Sequence, residues 1–102
     1  MSFDNLPLHD AVLKTIVVDW GSAEIILSVF AFVIKGEAAV PYLLKFSSVT
    51  MFEGSRFNEW GASNSILDAK ASGTEFTIQM QSGDVIKIKA AGYLRYPQKY
   101  GM

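Results

Sequence analysis

Apolar and polar residues alternate with period two along most of this chain, and turn-forming residues recur at short intervals. The clearest case is residues 75–81, where Phe76, Ile78 and Met80 alternate with polar residues. Successive side chains of a strand point to opposite faces, so this alternation is typical of half-buried strands. Helical spacing is hard to find. The pattern predicts an all-β fold: an antiparallel meander of about six or seven strands, closed into a small barrel or arranged as a two-layer sandwich.

The first two predicted strands differ in pattern. In residues 11–20, Leu13 and Ile16 break the alternation by one residue, so we expect a bulge near Lys14-Thr15. Residues 24–35 are apolar on both faces, which favours a central strand.

The remaining strands are predicted from shorter runs. Residues 42–52 form one strand with a bend near Ser47-Ser48, because Val49 and Phe52 leave its register. Residues 53–63 lack a clear period and are expected to form a structured loop. Residues 63–70 could form a short helix capped by Ser63, but Ser65, Ile66 and the flanking turns favour a strand. The other predicted strands are residues 75–81, 85–90 and 93–96, and the predicted turns are Gly21-Ser22, residues 35–37, residues 71–74 and Ser82-Gly83-Asp84.

Length and composition limit the class of protein. At 102 residues, positions 1–102 are expected to form a single β domain. The chain has no cysteine, which excludes disulfides, zinc–thiolate sites, iron–sulfur clusters and a cysteine nucleophile. The first residues lack a basic and apolar leader pattern, and the longest apolar stretch, residues 25–34, is too short to span a membrane. We therefore expect a cytoplasmic protein without a membrane partner.

Charge is distributed unevenly although the net charge is only −1. All the acidic residues precede position 85, and the last 18 residues carry four basic residues. Basic and aromatic residues interleave there, as in proteins that bind single-stranded nucleic acid: Lys87, Lys89, Tyr93, Arg95, Tyr96, Lys99 and Tyr100. The overall charge argues against nucleic acid as the partner, and we expect this tail to pack beside acidic parts of its own or a neighbouring chain.

One candidate polar cluster contains the single histidine. His9, Asp10 and Asp19 offer one nitrogen and two carboxylates, but their spacing matches no metal-ligand motif. Neighbouring residues of a strand point to opposite faces, which argues against a His9–Asp10 acid–base pair. No nucleophile elbow or phosphate-binding loop is present either. We expect a structural role for these residues, with no catalytic residue, metal or cofactor.

The predicted loop supplies the candidate binding residues, because it combines large aromatic side chains with many polar ones. The candidate partner-binding residues are Glu53, Arg56, Phe57, Glu59 and Trp60. Exposed aromatic faces can also bind a sugar or a base. Tryptophan in a small domain more often packs in the core, and this is our expectation for Trp20 and, less strongly, for Trp60.

Several short motifs resemble a family of small, functionally uncharacterised bacterial proteins. The resemblance covers most of the chain and rests on Leu8-His9-Asp10-Ala11 with Leu13 and Ile16, Asp19-Trp20, Leu44-x-Phe46-x-x-Val49, Trp60-Gly61-x-Ser63-x-Ser65-Ile66 and Gln81-Ser82-Gly83-Asp84. The same start and the Phe46 to Val49 spacing are loosely similar to immunity proteins that neutralise bacterial toxins. This resemblance implies a small β-rich protein that acts by binding another protein, and it brings no catalytic residue.

The sequence is therefore consistent with three functions. The leading expectation is a non-catalytic protein-binding module, of the immunity type if the resemblance holds, whose partner is another protein such as a toxin. The second is a small metal-dependent hydrolase that uses His9, Asp10 and Asp19. The third is a structural protein that forms homodimers by pairing exposed sheet edges.

Overall fold

A computed structural model describes residue 3, residues 6–32, residue 36 and residues 38–97, with the backbone alone for Tyr96 and Pro97. The described chain forms eight strands: β1 (Val12–Asp19), β2 (Glu24–Ala31), β3 (Val40–Ser47), β4 (Met51–Gly54), β5 (Ile66–Ser72), β6 (Glu75–Met80), β7 (Val85–Lys89) and β8 (Gly92–Pro97). No helix in this part of the chain is long and apolar enough to cross a membrane.

The strands form two antiparallel sheets of four strands each. Their orders are β1-β2-β3-β8 and β4-β7-β6-β5. An isolated bridge pairs Val12 of β1 with Ser65, the residue just before β5. The predicted all-β, antiparallel architecture is confirmed, whereas the sheets are not closed into a barrel and the expected strand count was too low.

The missing strand in that count comes from residues 42–52. They form β3 and β4, which belong to different sheets, rather than one bent strand. The break follows Ser48, whose φ of 54° lies in the left-handed region that stops an extended strand. The sequence located this irregularity, but its pattern could not show that the chain crosses to the other sheet.

The predicted features of the first hairpin are confirmed. The β1–β2 register shifts between Leu13 and Thr15, as expected for a bulge at Lys14, and β2 lies between two other strands. β2 ends at Ala31, earlier than predicted. The predicted turn at residues 35–37 lies outside the described residues except for Gly36.

Aromatic side chains pack where the inner faces of the two sheets meet. Phe46 from β3 and Phe76 from β6 have ring centroids 5.1 Å apart, and Tyr93 from β8 lies 5.5 Å from Phe76. Phe3, which precedes the first strand, packs edge-on against Phe76 at 5.1 Å. Offset and edge-on ring contacts add to the gain from burial, so this cluster joins both sheets and the N-terminal segment.

The N-terminal segment contributes more to the core than its sequence indicated. Leu6, Leu8 and Ala11 are buried beside the inner faces although they belong to no strand. Because the segment is irregular, its apolar residues do not alternate with period two, and the sequence pattern did not predict that they are buried.

The outer faces of the sheets differ in chemistry. The face of β5, β6 and β7 carries charged pairs, including Lys89 and Glu75 at 4.0 Å. On the other sheet, Val17 and Leu94 are exposed on the outer face, near an ion pair of 3.0 Å between Lys45 and Glu24. This face points away from the other sheet, so Val17 and Leu94 do not contribute to the core between the sheets.

We predict that Phe46→Ala lowers the free energy of unfolding by about 3–5 kcal/mol, because it removes a fully buried ring and leaves a cavity. Urea denaturation at neutral pH measures the effect. Phe57→Ala is the matched control, since Phe57 is exposed, and it should change the same quantity by less than about 0.5 kcal/mol. Equal losses in the two variants would contradict this description of the core.

Candidate functional site

The loop between β4 and β5 is held by one carboxylate, Asp84, which is only 4% exposed. Its Oδ1 accepts hydrogen bonds from the Ser55 hydroxyl at 2.9 Å and the Phe57 amide at 2.6 Å. Its Oδ2 accepts from the Asn58 amide at 3.0 Å and the Ser82 hydroxyl at 2.7 Å. Four donors fill the acceptor positions of an ionised carboxylate, which fixes the loop backbone against the β6–β7 turn.

These hydrogen bonds stabilise the charged form of the carboxylate. The Ser82 hydroxyl lowers the pKa most, partial burial opposes it, and the Phe57 and Asn58 amides and the Ser55 hydroxyl lower it further. Together they lower the pKa of Asp84 from 3.8 to about 2. Asp84 therefore remains ionised at neutral pH and cannot serve as a general acid there.

The fixed loop exposes two large aromatic side chains. Phe57 is 85% exposed and Trp60 is 63% exposed, so the expectation that Trp60 packs in the core was wrong. The Trp60 amide donates to the Ser82 carbonyl at 2.9 Å. Its ring lies against Gly83, where an added Cβ would approach Trp60 Cδ2 to 2.8 Å. One ring face is supported by the turn, and much of the side chain remains in water.

Charged residues accompany these rings. Arg56 and Glu59 are exposed in the loop itself, and Glu53 is exposed on β4, paired across the sheet with Lys87 of β7. The structure thus places all five predicted partner-binding residues on β4 and the loop that follows it. An apolar pair flanked by charges of both signs is a common composition for a protein-binding surface.

His9 and Asp10 lie together in a turn before β1, not on a strand, so the argument from opposite strand faces was wrong. Asp10 has a φ of 67°, and its Oδ2 lies 3.6 Å from His9 Nε2. His9 Nδ1–H donates to the Leu67 carbonyl at 2.7 Å. The Gln81 side-chain amide donates to Asp10 Oδ1 at 2.6 Å. These bonds tie the segment before β1 to β5 and to the β6–β7 turn, as a structural role requires.

Asp19 is not part of that cluster. It ends β1, and a strand running from Val12 to Asp19 spans about 23 Å at ~3.3 Å per residue. Its Oδ1 accepts from the Ser22 amide at 3.2 Å within the first hairpin turn. His9, Asp10 and Asp19 therefore cannot share one coordination shell. Among the described residues, no three His, Asp or Glu side chains are grouped closely enough to hold a metal ion.

Two other features considered from the sequence were Trp20 and the basic, aromatic tail. Trp20 is 91% exposed in the first hairpin turn, so its predicted core position was wrong. The basic and aromatic residues of the tail do not form one surface: Lys87 is on β7, whereas Tyr93 packs against the core on β8 of the other sheet. The side chain of Tyr96 and residues Lys99 and Tyr100 lie outside the described part of the chain.

Sequence reasoning missed Asp84 as the organiser of the loop, since it identified Ser82-Gly83-Asp84 only as a turn. A weak signal was present: an acidic residue at the end of a tight turn, beside a loop rich in serine and asparagine that needs acceptors for its amides. Its four donors come from positions 26 to 29 residues earlier and from Ser82, so their convergence depends on the tertiary structure.

Comparison with known protein families, with curated proteins and with solved structures finds no match for this chain.

We predict that Asp84→Asn lowers the free energy of unfolding at pH 7, because the amide keeps one acceptor oxygen and turns an NH2 group toward donors. The pKa of Asp84 is lowered on folding, so its stabilising contribution is fully present above pH 3.8 and is lost as the pH falls through about 2. Urea denaturation from pH 2 to 7 should show the variant and wild type converging at low pH. Asp68→Asn, which changes an exposed carboxylate on β5, is the control, and a constant gap for Asp84→Asn across this range would contradict the assignment.

We predict that Gly83→Ala displaces the Trp60 ring, because the new methyl group would overlap it. Intrinsic fluorescence in a Trp20→Phe background reports on Trp60 alone, and its emission should shift. Gly73→Ala is the matched control: Gly73 also has a positive φ of 61°, but no heavy atom lies within 4 Å of its added Cβ. An unchanged emission in Gly83→Ala, or the same shift in Gly73→Ala, would disprove the ring contact.

Proposed function

We propose that this protein is a non-catalytic binding module that contacts a partner protein through Glu53, Arg56, Phe57, Glu59 and Trp60, which we call the loop surface. The observation that carries the proposal is a rigidly held loop whose two large aromatic side chains are exposed. Exposing such rings has no benefit for folding, because burying them would release ordered water and stabilise the fold.

The way in which the loop is held supports binding. Asp84 fixes the backbone at Phe57 and Asn58, and the Ser82 carbonyl fixes it at Trp60. A loop that is already ordered loses little conformational entropy when a partner docks. Tryptophan and other aromatic anchors in such positions supply a large share of the binding energy of protein interfaces.

The charges on the loop surface suggest how the partner is chosen. Arg56 lies between the acidic residues Glu53 and Glu59, so a complementary partner presents an acidic group between basic ones around an apolar pocket. The loose resemblance to immunity proteins makes a bacterial toxin the specific partner that we propose. A cytoplasmic location, consistent with a chain that has no cysteine, belongs to the same proposal.

The separation of Asp19 from His9 and Asp10 leaves the metal-dependent hydrolase without its proposed three-residue site. The binding module requires no such convergence. It also accounts for the exposed rings, which the hydrolase does not.

We expect Phe57→Ala and Trp60→Ala each to abolish capture of the partner while leaving the unfolding midpoint nearly unchanged. The measurement is affinity capture from a lysate of the cells that encode the chain, with identification of stoichiometric proteins by mass spectrometry. Trp20→Ala is the matched control, because Trp20 is an exposed ring of the same kind in the turn between β1 and β2. Co-expression of the captured protein with each variant then tests the immunity proposal by cell growth.

Wild type and Trp20→Ala should protect the cells from the captured toxin, and Trp60→Ala should not. Capture of the same proteins by all four forms would disprove the role of the loop surface. Capture that depends on Trp60, of a protein that does not impair growth, would support the binding module and reject the immunity function.

A further inference from the structure

Three of the short motifs noted in the sequence come together at one end of the second sheet, although they lie far apart along the chain. They are Leu8-His9-Asp10-Ala11, Trp60-Gly61-x-Ser63-x-Ser65-Ile66 and Gln81-Ser82-Gly83-Asp84. Hydrogen bonds join each of these motifs to the other two. The surroundings of the binding loop therefore include the segment before β1, which precedes the loop by about half of the chain.

That segment holds the end of the loop that leads into β5. The Ile66 amide donates to the Ala11 carbonyl at 2.8 Å, and the Asp10 amide donates to the Ile66 carbonyl at 2.8 Å. The start of the loop is fixed by the Asp84 carboxylate, as described above. The two ends of the loop thus depend on two different parts of the fold.

Gln81 connects these two parts. Its backbone amide donates to the Ser65 carbonyl at 2.8 Å, and its side-chain amide donates to Asp10 Oδ1 at 2.6 Å. The next residue is Ser82, whose carbonyl accepts from the Trp60 amide at 2.9 Å. A hydrogen bond to a carboxylate is stronger than one between neutral groups. Gln81 therefore links the position of Asp10 to the turn that supports Trp60.

The segment that carries Asp10 is anchored by burial. Leu6 and Leu8 are buried in the core, and Ala11 is buried just before β1. Between these anchors the chain turns at Asp10, whose φ of 67° lies in the left-handed region. The Asp10 carboxylate is thus brought to Gln81 by a segment whose apolar side chains are docked between the sheets.

We propose that residues 6–11 act as a strap that positions the loop surface, with Gln81 as the positioning residue between them. While the strap is docked, Asp10 holds Gln81, and the turn after Gln81 supports Trp60. When the strap leaves the core, this support is lost and the loop surface loses its fixed conformation. A surface that must be ordered during docking binds more weakly, so the strap regulates the loop surface. This inference rests on the proposed function, because it concerns the same surface.

Hydrogen exchange of single backbone amides in the full chain, followed by NMR, tests the strap without any partner. Gln81→Ala should raise the exchange rate of the Trp60 amide about fivefold, the factor that corresponds to one hydrogen bond of ordinary net strength. Gln79→Ala is the matched control, since Gln79 is the same residue type two positions earlier on β6 and pairs with Asp68. It should leave the Trp60 rate within about twofold of wild type, because the link between strap and turn stays intact.

Substitutions in the strap itself make the same test from a residue outside the loop. Asp10→Gly removes the carboxylate, and glycine adopts a φ of 67° without steric cost, so this variant should also raise the Trp60 rate about fivefold. Asp10→Asn keeps Oδ1 as an acceptor and tolerates the same φ, so it should stay within about twofold of wild type. The double variant of Asp10→Gly with Gln81→Ala should show the same rise as either single one, because both remove the same hydrogen bond.

The strap is disproved if Asp10→Gly leaves the Trp60 rate at the wild-type value, if Gln79→Ala raises it as much as Gln81→Ala, or if the two effects add in the double variant. Affinity capture separates this inference from the proposed function. Capture that depends on Trp60, in a protein whose Trp60 amide does not respond to Asp10→Gly, supports the function and rejects the strap. The response without any such capture supports the strap and rejects the loop surface as a protein-binding site.

Discussion

Packing of one face of each sheet against the other is the constraint on which the remaining features of this protein depend. Phe46 and Phe76 meet at the centre of that contact, and Phe3 and Tyr93 extend it to the N-terminal segment and the last strand. The chain crosses between the sheets after Ser48, so consecutive apolar runs serve opposite layers. At the edges, Val18 of β1 and Phe52 of β4 pair with buried residues of neighbouring strands yet remain exposed.

A polar interaction of comparable importance lies outside this core. The Asp84 carboxylate is nearly buried at the start of β7, and its four hydrogen bonds reach back to the segment that leaves β4. They therefore extend the β4–β7 pairing into the loop. These bonds satisfy the loop backbone, while the Phe57 and Trp60 side chains remain largely exposed.

His9 and Asp10, which first suggested chemistry, make hydrogen bonds that link separate parts of the fold. His9 and Asp10 share a turn, but each bonds to a different part of the second sheet, through the Leu67 carbonyl and the Gln81 amide. These bonds hold the segment that carries Leu6 and Leu8 over the core.

Period-two alternation determined the strand class, the buried faces of β6 and β7 and the bulge at Lys14, because these depend on neighbours within a few residues. It also indicated the polar loop with its aromatic residues. The tertiary structure alone decided that residues 42–52 divide between two sheets, that Trp20 and Trp60 are exposed, and that Asp84 collects donors from the loop. These outcomes depend on which distant segments come into contact. The spacing of apolar and polar residues within a strand does not determine which segments of the other sheet they meet.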